Sequence, residues 1–262
     1  MAEYGKIPTR KVYFASLLIF SILAIAYFLP GDLLSGFLPS GVVRFRIAYP
    51  VAALFLGGLL TGLDWRFALA FLFSCTGDAF GAGGSFIGQM GFFALAHITL
   101  IWCFVRRLRA VSTSRTTAGG CLKVVPDGQC QAARATREGT AHAKIRIRTM
   151  ETCWVIIGLA AIAAILILAM TIVLPSIEES FLVWGCGIYA LLICTMASLA
   201  ILQRSPLFAL GALLFAVSDF ILSWNKFVGP VPLEKYLIMV PYYLGQALLW
   251  LGAVRIVHKS GR

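Results

Sequence analysis

Long hydrophobic runs, separated by short polar segments, follow one another along most of the chain. A helix that crosses a bilayer needs roughly 17–25 predominantly apolar residues, and the runs reach that length. The pattern therefore predicts eight membrane-spanning helices, at residues 12–29, 47–63, 66–82, 86–105, 152–174, 181–202, 206–224 and 236–257. The first run is interpreted as a membrane helix, because no small-residue cleavage site of a signal peptide follows it.

The composition agrees with a membrane protein, and the distribution of charge indicates its orientation. Hydrophobic residues make up 60% of the chain and charged residues 13%, whereas soluble domains carry about a quarter charged residues. With eight spans, 18 Lys and Arg residues fall on the side of both termini and 4 on the other side. Because Lys and Arg are enriched in cytoplasmic segments, we expect an all-α, multi-pass protein of the plasma membrane or endoplasmic reticulum with both termini in the cytoplasm.

A basic, polar segment at residues 106–150 separates the fourth span from the fifth. It is rich in Arg, Ser, Thr, Gly and Ala, a composition that favours a flexible loop. We expect a first four-helix half (1–105), this cytoplasmic loop (106–150) and a second four-helix half (151–262). The charge of the loop favours contact with anionic lipids of the bilayer, and its lack of aromatic residues argues against nucleic-acid binding.

The two halves resemble each other. The segments FALAFLFSCTGDAF and FALGALLFAVSDFI begin alike and carry Asp78 and Asp219 at the same offset. In the span that follows each aspartate, His97 of the first half aligns with Gln246 of the second. Four spans separate the two copies, so they run in the same direction, and we predict a parallel internal repeat of four plus four helices.

These polar residues lie within membrane spans, where their insertion is energetically unfavourable. A carboxylate at the centre of a membrane helix costs on the order of 3 kcal/mol of insertion free energy. Their positions predict a polar cavity in the outer half of the helix bundle. Each has a structural alternative. Asp78 could stand at a hydrated helix end, Asp219 could pair with Lys226, and His97 could donate to a backbone carbonyl. Gln246 could join neighbouring helices by a hydrogen bond.

Two aspartates and one histidine limit the chemistry that this cavity could perform. His97 is the only histidine within a predicted span, and no GxSxG motif is present. A metal site or a serine nucleophile is therefore disfavoured, and we expect no cofactor. A carboxylate pair in a low-dielectric site supplies a general acid and an anion together. That combination suits cleavage of an acid-labile ether through an oxocarbenium ion.

The order of these motifs resembles the YhhN family of integral membrane proteins, which includes the lysoplasmalogenases. The resemblance covers roughly residues 45–105 and 185–255. It rests on Ser74-x-x-Gly77-Asp78, Gly88-x-x-x-Phe92 leading to Ala96-His97, Gly211-Ala212-Leu213-Leu214-Phe215-x-x-Ser218-Asp219, and Tyr242-Tyr243-x-x-Gln246. Tyr49-Pro50 stands where the family tends to carry Lys-Pro early in the second span.

The resemblance implies a hydrolase that cleaves the vinyl ether bond of a lysophospholipid, the lysoplasmalogen, to a fatty aldehyde and a glycerophospho-base. It implies catalytic roles for Asp78, Asp219 and His97. Expected substrate-binding residues are the polar neighbours of these three: Gln246, Tyr242, Tyr243, Ser218 and Tyr49. Two other functions stay open. One is a proton-coupled transporter of small molecules or lipids, and the other is a non-catalytic membrane sensor or assembly factor.

Overall fold

Helices make up the architecture of the chain, and no strand occurs in the part of it that the structure describes. The computed structural model describes residues 9–118 and 152–260, so residues 119–150 of the predicted loop lie outside the described residues. The helices are α1 (Thr9–Phe28), α2 (Gly31–Ser35), α3 (Ser40–Arg44), α4 (Tyr49–Leu60), α5 (Trp65–Ala82), α6 (Phe86–Ala118), α7 (152–168), α8 (Ser180–Leu202), α9 (Pro206–Phe227) and α10 (Glu234–Ser260).

Several of these helices are built to cross a membrane. Within the described residues, six are long and apolar enough, namely α1, α6, α7 with its continuation to Ser176, α8, α9 and α10. A seventh span results if the bent pair of α3 and α4 counts as one. The all-helical, multi-pass prediction is thereby confirmed. Eight spans stay a prediction, because α5 is not among the helices that qualify. The orientation of the termini stays a prediction as well.

The second predicted span is broken, and the break determines where one arginine lies. Segment Ser40–Ile47 meets α4 at an angle of 71°, with a 3₁₀ turn at Phe45–Ile47. Pro50 stands in the first turn of α4, where its missing N–H is tolerated and its fixed φ favours a helix start. The bend brings Arg46 towards the interior of the bundle.

Helix packing follows the same order in both halves of the chain. The most extensive contacts join α5 to α6 and α9 to α10, and further contacts join α4 to α5 and α8 to α9. Between the halves, α6 contacts α8 and α10 contacts α4. This reciprocal pattern is the one that two repeats related by a two-fold axis would produce, and the repeat itself stays a prediction.

Helices α9 and α10 approach each other closely at two glycines. A Cβ atom at Gly211 would lie 3.0 Å from the Gly245 carbonyl oxygen, and one at Gly245 would lie 2.8 Å from the Gly211 carbonyl oxygen. Small residues permit such backbone contact between membrane helices. The contact fixes the spacing of α9, which carries Asp219, and α10, which carries Tyr242.

Candidate active site

Asp78 and Asp219 line the same cavity. The cavity has a volume of about 480 Å³ and lies among α5, α6, α9 and α10, with Tyr242 and Ser218 also in its wall. The two aspartates are 2% and 8% exposed. They reach the cavity wall from helices of opposite halves, α5 and α9.

Asp78 is held by a tyrosine from the other half of the chain. The Tyr242 hydroxyl donates to Asp78 Oδ2 at 2.7 Å. The Tyr242 ring packs edge-to-face against Phe93 and Phe215, with centroids 5.9 and 5.4 Å away. Aromatic packing of this kind fixes the ring, so the hydroxyl holds the carboxylate in one orientation.

Asp219 is held by a second tyrosine, which connects it to the histidine. The Tyr189 hydroxyl of α8 donates to Asp219 Oδ2. The same hydroxyl oxygen lies 3.3 Å from His97 Nε2. Because the phenolic proton is directed to Asp219, the oxygen is free to accept a hydrogen bond from Nε2–H. His97 is completely buried and does not line the cavity, so it reaches Asp219 only through Tyr189.

The other expected substrate-binding residues differ in where they lie. Ser218 lines the cavity, while its hydroxyl donates to the Ile238 carbonyl at 2.8 Å. Gln246 is buried away from the cavity, and its Nε2 has no hydrogen-bond partner among the residues that the structure describes. Tyr243 donates to the Ile47 carbonyl at 2.9 Å, and Tyr49 donates to the Val42 carbonyl at 3.1 Å. Neither of these two tyrosines is in the cavity wall.

Sequence reasoning missed several polar residues of the cavity. These are five residues of the wall, Tyr27, Gln89, Asn225, Glu234 and Lys235, and Tyr189, which is hydrogen-bonded to Asp219. Tyr189 is the one tyrosine of α8, and that is the only signal the sequence offered for it. From the sequence, Lys235 counts only as a charge at a span end. Arg46, which also lines the cavity, is one of two arginines, with Arg44, that could meet a phosphate or anchor a span at the membrane interface.

An apolar groove adjoins Asp219 on the side of α7. It is lined by side chains of α6, α7, α8 and α9, and both Asp219 and Tyr189 lie at its edge. Beside it the regular winding of α7 is interrupted by a π-helical segment, Ala169–Val173, followed by a 3₁₀ turn, Leu174–Ser176. The carboxylate therefore stands between a polar cavity and an apolar groove, as an amphiphilic substrate would require.

The arrangement offers acid–base chemistry at two fixed carboxyl groups. Each carboxylate accepts a hydrogen bond from a tyrosine hydroxyl, and both face a space large enough for a small molecule, since ligand sites range from about 300 to 1,000 Å³. Among the described residues, no three His, Cys, Asp or Glu side chains cluster as metal ligands would. The groups present could donate a proton, accept one, and stabilise a cation between them.

Comparison with known proteins gives a family similarity for part of the chain. The model of the YhhN family matches residues 143–253, which confirms the resemblance to that family. Human lysoplasmalogenase TMEM86B is 47% identical over 45 residues, which are 17% of this chain and 20% of that protein. Human lysoplasmalogenase TMEM86A is 50% identical over 44 residues, or 17% of this chain and 18% of that protein. The matched segment thus spans about a fifth of these relatives, and no solved structure matches the chain.

Proposed function

We propose, from the similarity of the second half of the chain to the YhhN family, that this protein is an intramembrane hydrolase of lysoplasmalogens. It cleaves the vinyl ether bond and releases a fatty aldehyde and a glycerophospho-base. The observation that carries the proposal is the pair of buried carboxyl groups, Asp78 and Asp219, in the wall of one cavity. The relatives named above are lysoplasmalogenases, which supports the substrate class.

The proposed reaction begins with proton transfer to the carbon–carbon double bond. One carboxyl group protonates the vinyl carbon that does not bear the oxygen, and the neighbouring carbon becomes an oxocarbenium ion. Water adds to that ion and loses a proton to the other carboxylate. The resulting hemiacetal then breaks its bond to the glycerol oxygen, which leaves as an alcohol. One water molecule is consumed, and a proton passes between the two carboxyl groups to restore the starting state.

Each named residue has a role in this scheme that follows from its contacts. The ionised carboxylate stabilises the developing cation, as a fixed charge does most effectively in a site that excludes water. Tyr242 and Tyr189 orient Asp78 and Asp219 respectively. His97 acts on Asp219 through Tyr189 and is a positioning residue. The apolar groove beside α7 accepts the first part of the alkenyl chain, which continues into the bilayer.

The test is aldehyde release from a lysoplasmalogen by the purified full-length protein in detergent. Asp78→Asn and Asp219→Asn should each lower the rate by about 10²–10⁴-fold, because each removes a general acid or base. Asp64→Asn is the matched control. Asp64 is the N-cap of α5 and pairs with Arg66, and Asn caps a helix as well as Asp does, so this variant should retain full activity.

Two results would overturn the proposal. The first is wild-type activity in either Asp78→Asn or Asp219→Asn. The second is the absence of aldehyde from folded wild-type protein with both choline and ethanolamine substrates. The second result would favour a transporter or a non-catalytic role, and uptake of lysophospholipid into proteoliposomes would separate those two.

A further inference from the structure

One end of the aspartate cavity is cationic. Arg46 and Lys235 both line it, and both lie against the ring of Tyr27. The Arg46 Cζ atom is 5.7 Å from the ring centroid and the Lys235 Nζ atom is 5.0 Å from it. A second chamber of about 490 Å³ shares Arg46, Tyr27 and Gln89 with the aspartate cavity. Arg46 therefore stands where the two chambers meet.

The two cations lack the partners that such groups usually have. In the part of the chain that the structure describes, the only ion pair within 4 Å joins Arg66 to Asp64. Among the described residues, the buried Arg46 Nη1 atom has no hydrogen-bond partner, and Lys235 Nζ donates one long hydrogen bond of 3.4 Å to the Phe28 carbonyl. Both side chains are half-buried, and two cations beside one ring repel each other. An anion between them would give Arg46 Nη1 a partner and relieve the repulsion.

The other two basic residues at this end of the bundle have different surroundings. Arg44 donates from Nε and Nη2 to the carbonyl oxygens of Ala82 and Gly83, at 2.9 and 3.1 Å, and so caps the carboxyl end of α5. Lys226 Nζ lies over the Phe86 ring, 4.6 Å from its centroid, outside the cavity wall. Only Arg46 and Lys235 thus combine a position in the cavity wall with open donor capacity.

A carboxylate stands beside this cationic end. Glu234 lines the same cavity next to Lys235 and accepts a hydrogen bond from Asn225 Nδ2. Asn225 is fixed in turn, because its Oδ1 accepts from the Val231 amide at 2.8 Å. The cavity wall therefore holds the two aspartates, two cations and a third acid beside Lys235.

We infer that Arg46 and Lys235 bind the phosphodiester of a lysophospholipid head group and that Glu234 binds its terminal amine. The inference rests on the proposed function for the identity of the lipid, and it adds the site that holds the head group. A guanidinium binds phosphate oxygens through paired hydrogen bonds, and an ammonium adds a compact positive charge. With the phosphate there, the glycerol and its vinyl ether extend towards Asp78 and Asp219.

Binding of ligands that cannot be cleaved tests this site without relying on turnover. The ligands are a saturated 1-O-alkyl-glycerophosphoethanolamine and the same 1-O-alkyl-glycerol without phosphate, each titrated against full-length protein in nanodiscs. Arg46→Gln and Lys235→Gln should each weaken binding of the phospholipid about 10-fold or more, since each removes charge-assisted hydrogen bonds. Binding of the alkylglycerol should stay as in the wild type. Lys226→Gln, the matched control, should change neither.

A third variant tests the proposed amine contact of Glu234. Two soluble ligands, inorganic phosphate and glycerophosphoethanolamine, test whether the bound molecule is a lipid. Glu234→Gln should weaken binding of the ethanolamine lipid and leave that of the corresponding alkyl-glycerophosphate unchanged, because only the former carries an amine. Equal binding of both ether ligands by wild-type protein, or unchanged phospholipid binding by Arg46→Gln and Lys235→Gln, would overturn the site. Binding of inorganic phosphate or glycerophosphoethanolamine as tightly as the lipid would overturn its assignment to a membrane lipid.

Discussion

Tyr189 is the residue through which Asp219 contacts His97. Tyr189→Phe removes the hydroxyl and keeps the ring that packs beside the apolar groove. We expect kcat for aldehyde release to fall about 10- to 100-fold, the usual value of a hydrogen bond to a charged group, with little change in KM. Tyr13→Phe is the control, because Tyr13 stacks on Trp250, 5.5 Å between centroids, away from the cavity. A Tyr189→Phe variant with wild-type kcat would show that this hydroxyl has no part in the reaction.

His97 should depend on Tyr189 for its effect, since it contacts the acid only through that hydroxyl. His97→Gln alone should lower kcat. In a Tyr189→Phe background, the same change should lower it by no more than about 3-fold further, because residues that act through one another are not additive. Rates of the two single variants and the double variant measure this coupling. Fully additive losses would instead mean that His97 acts on the substrate by a separate route.

At the residue scale, the sequence identified the polar side chains that are energetically costly inside a membrane. It gave little signal for site residues that are common in membrane proteins. Asp78, Asp219 and His97 stand out because polar groups are rare inside apolar runs. The structure places both aspartates in one cavity wall and connects His97 to Asp219 through Tyr189. Tyr189 gave no comparable signal, because tyrosine is common in membrane helices as a packing residue. Lys235 gave no signal either, and Arg46 could be named only as one of two arginines able to meet a phosphate, because basic residues at span ends are already explained by orientation.

Helices α9 and α10 depend on glycine for the contact that positions Asp219 and Tyr242. Gly211→Ala would place a methyl group 3.0 Å from the Gly245 carbonyl oxygen. We expect a loss of about 1–3 kcal/mol of stability, as for other overpacked contacts, and a lower rate, because Asp219 lies two turns further along α9. Thermal unfolding in detergent measures the first effect and aldehyde release the second.

The matched control for this change is Gly91→Ala in α6. Gly91 also lies within a helix, and a Cβ atom there would meet nothing within 4 Å. Alanine favours helix over glycine by about 1 kcal/mol, so Gly91→Ala should be neutral or slightly stabilising. If both variants unfold at the same temperature, the close approach of α9 and α10 does not limit stability.

At the element scale, hydrophobic runs predicted where the helices lie, because each apolar segment must satisfy its backbone within itself. The predicted spans 181–202 and 206–224 correspond to Ser180–Leu202 and Pro206–Phe227. The pattern did not predict the bend before Tyr49, and it ended the fourth span at residue 105 although α6 continues to Ala118. The bend depends on local backbone geometry, and the end of α6 consists of polar residues that also form helix. A count of apolar residues detects neither.

The two halves of the molecule contribute alike to the cavity wall but differ in the tyrosine that holds each aspartate. Each half contributes one aspartate to the cavity, and Asp78 of the first half is hydrogen-bonded to Tyr242 of the second. The partner of Asp219, Tyr189, belongs to the same half as Asp219 and lies on α8. The two acids therefore have similar hydroxyl donors from different helices. Such a difference would let a symmetric scaffold give its two carboxyl groups unlike roles, one as acid and one as base.

The orientation of the protein in the membrane determines from which side a lipid head group enters the aspartate cavity. Arg44, Arg46, Lys226 and Lys235 lie at the cavity end of the bundle, and the predicted topology places this end outside the cytoplasm. In a variant whose native cysteines are replaced by alanine, Gly229→Cys, between α9 and α10, should react with a membrane-impermeant maleimide in intact cells. Arg204→Cys, between α8 and α9, should react only after permeabilisation. The reverse pattern would place the cavity mouth on the cytoplasmic side, so that its lipid would come from the inner leaflet.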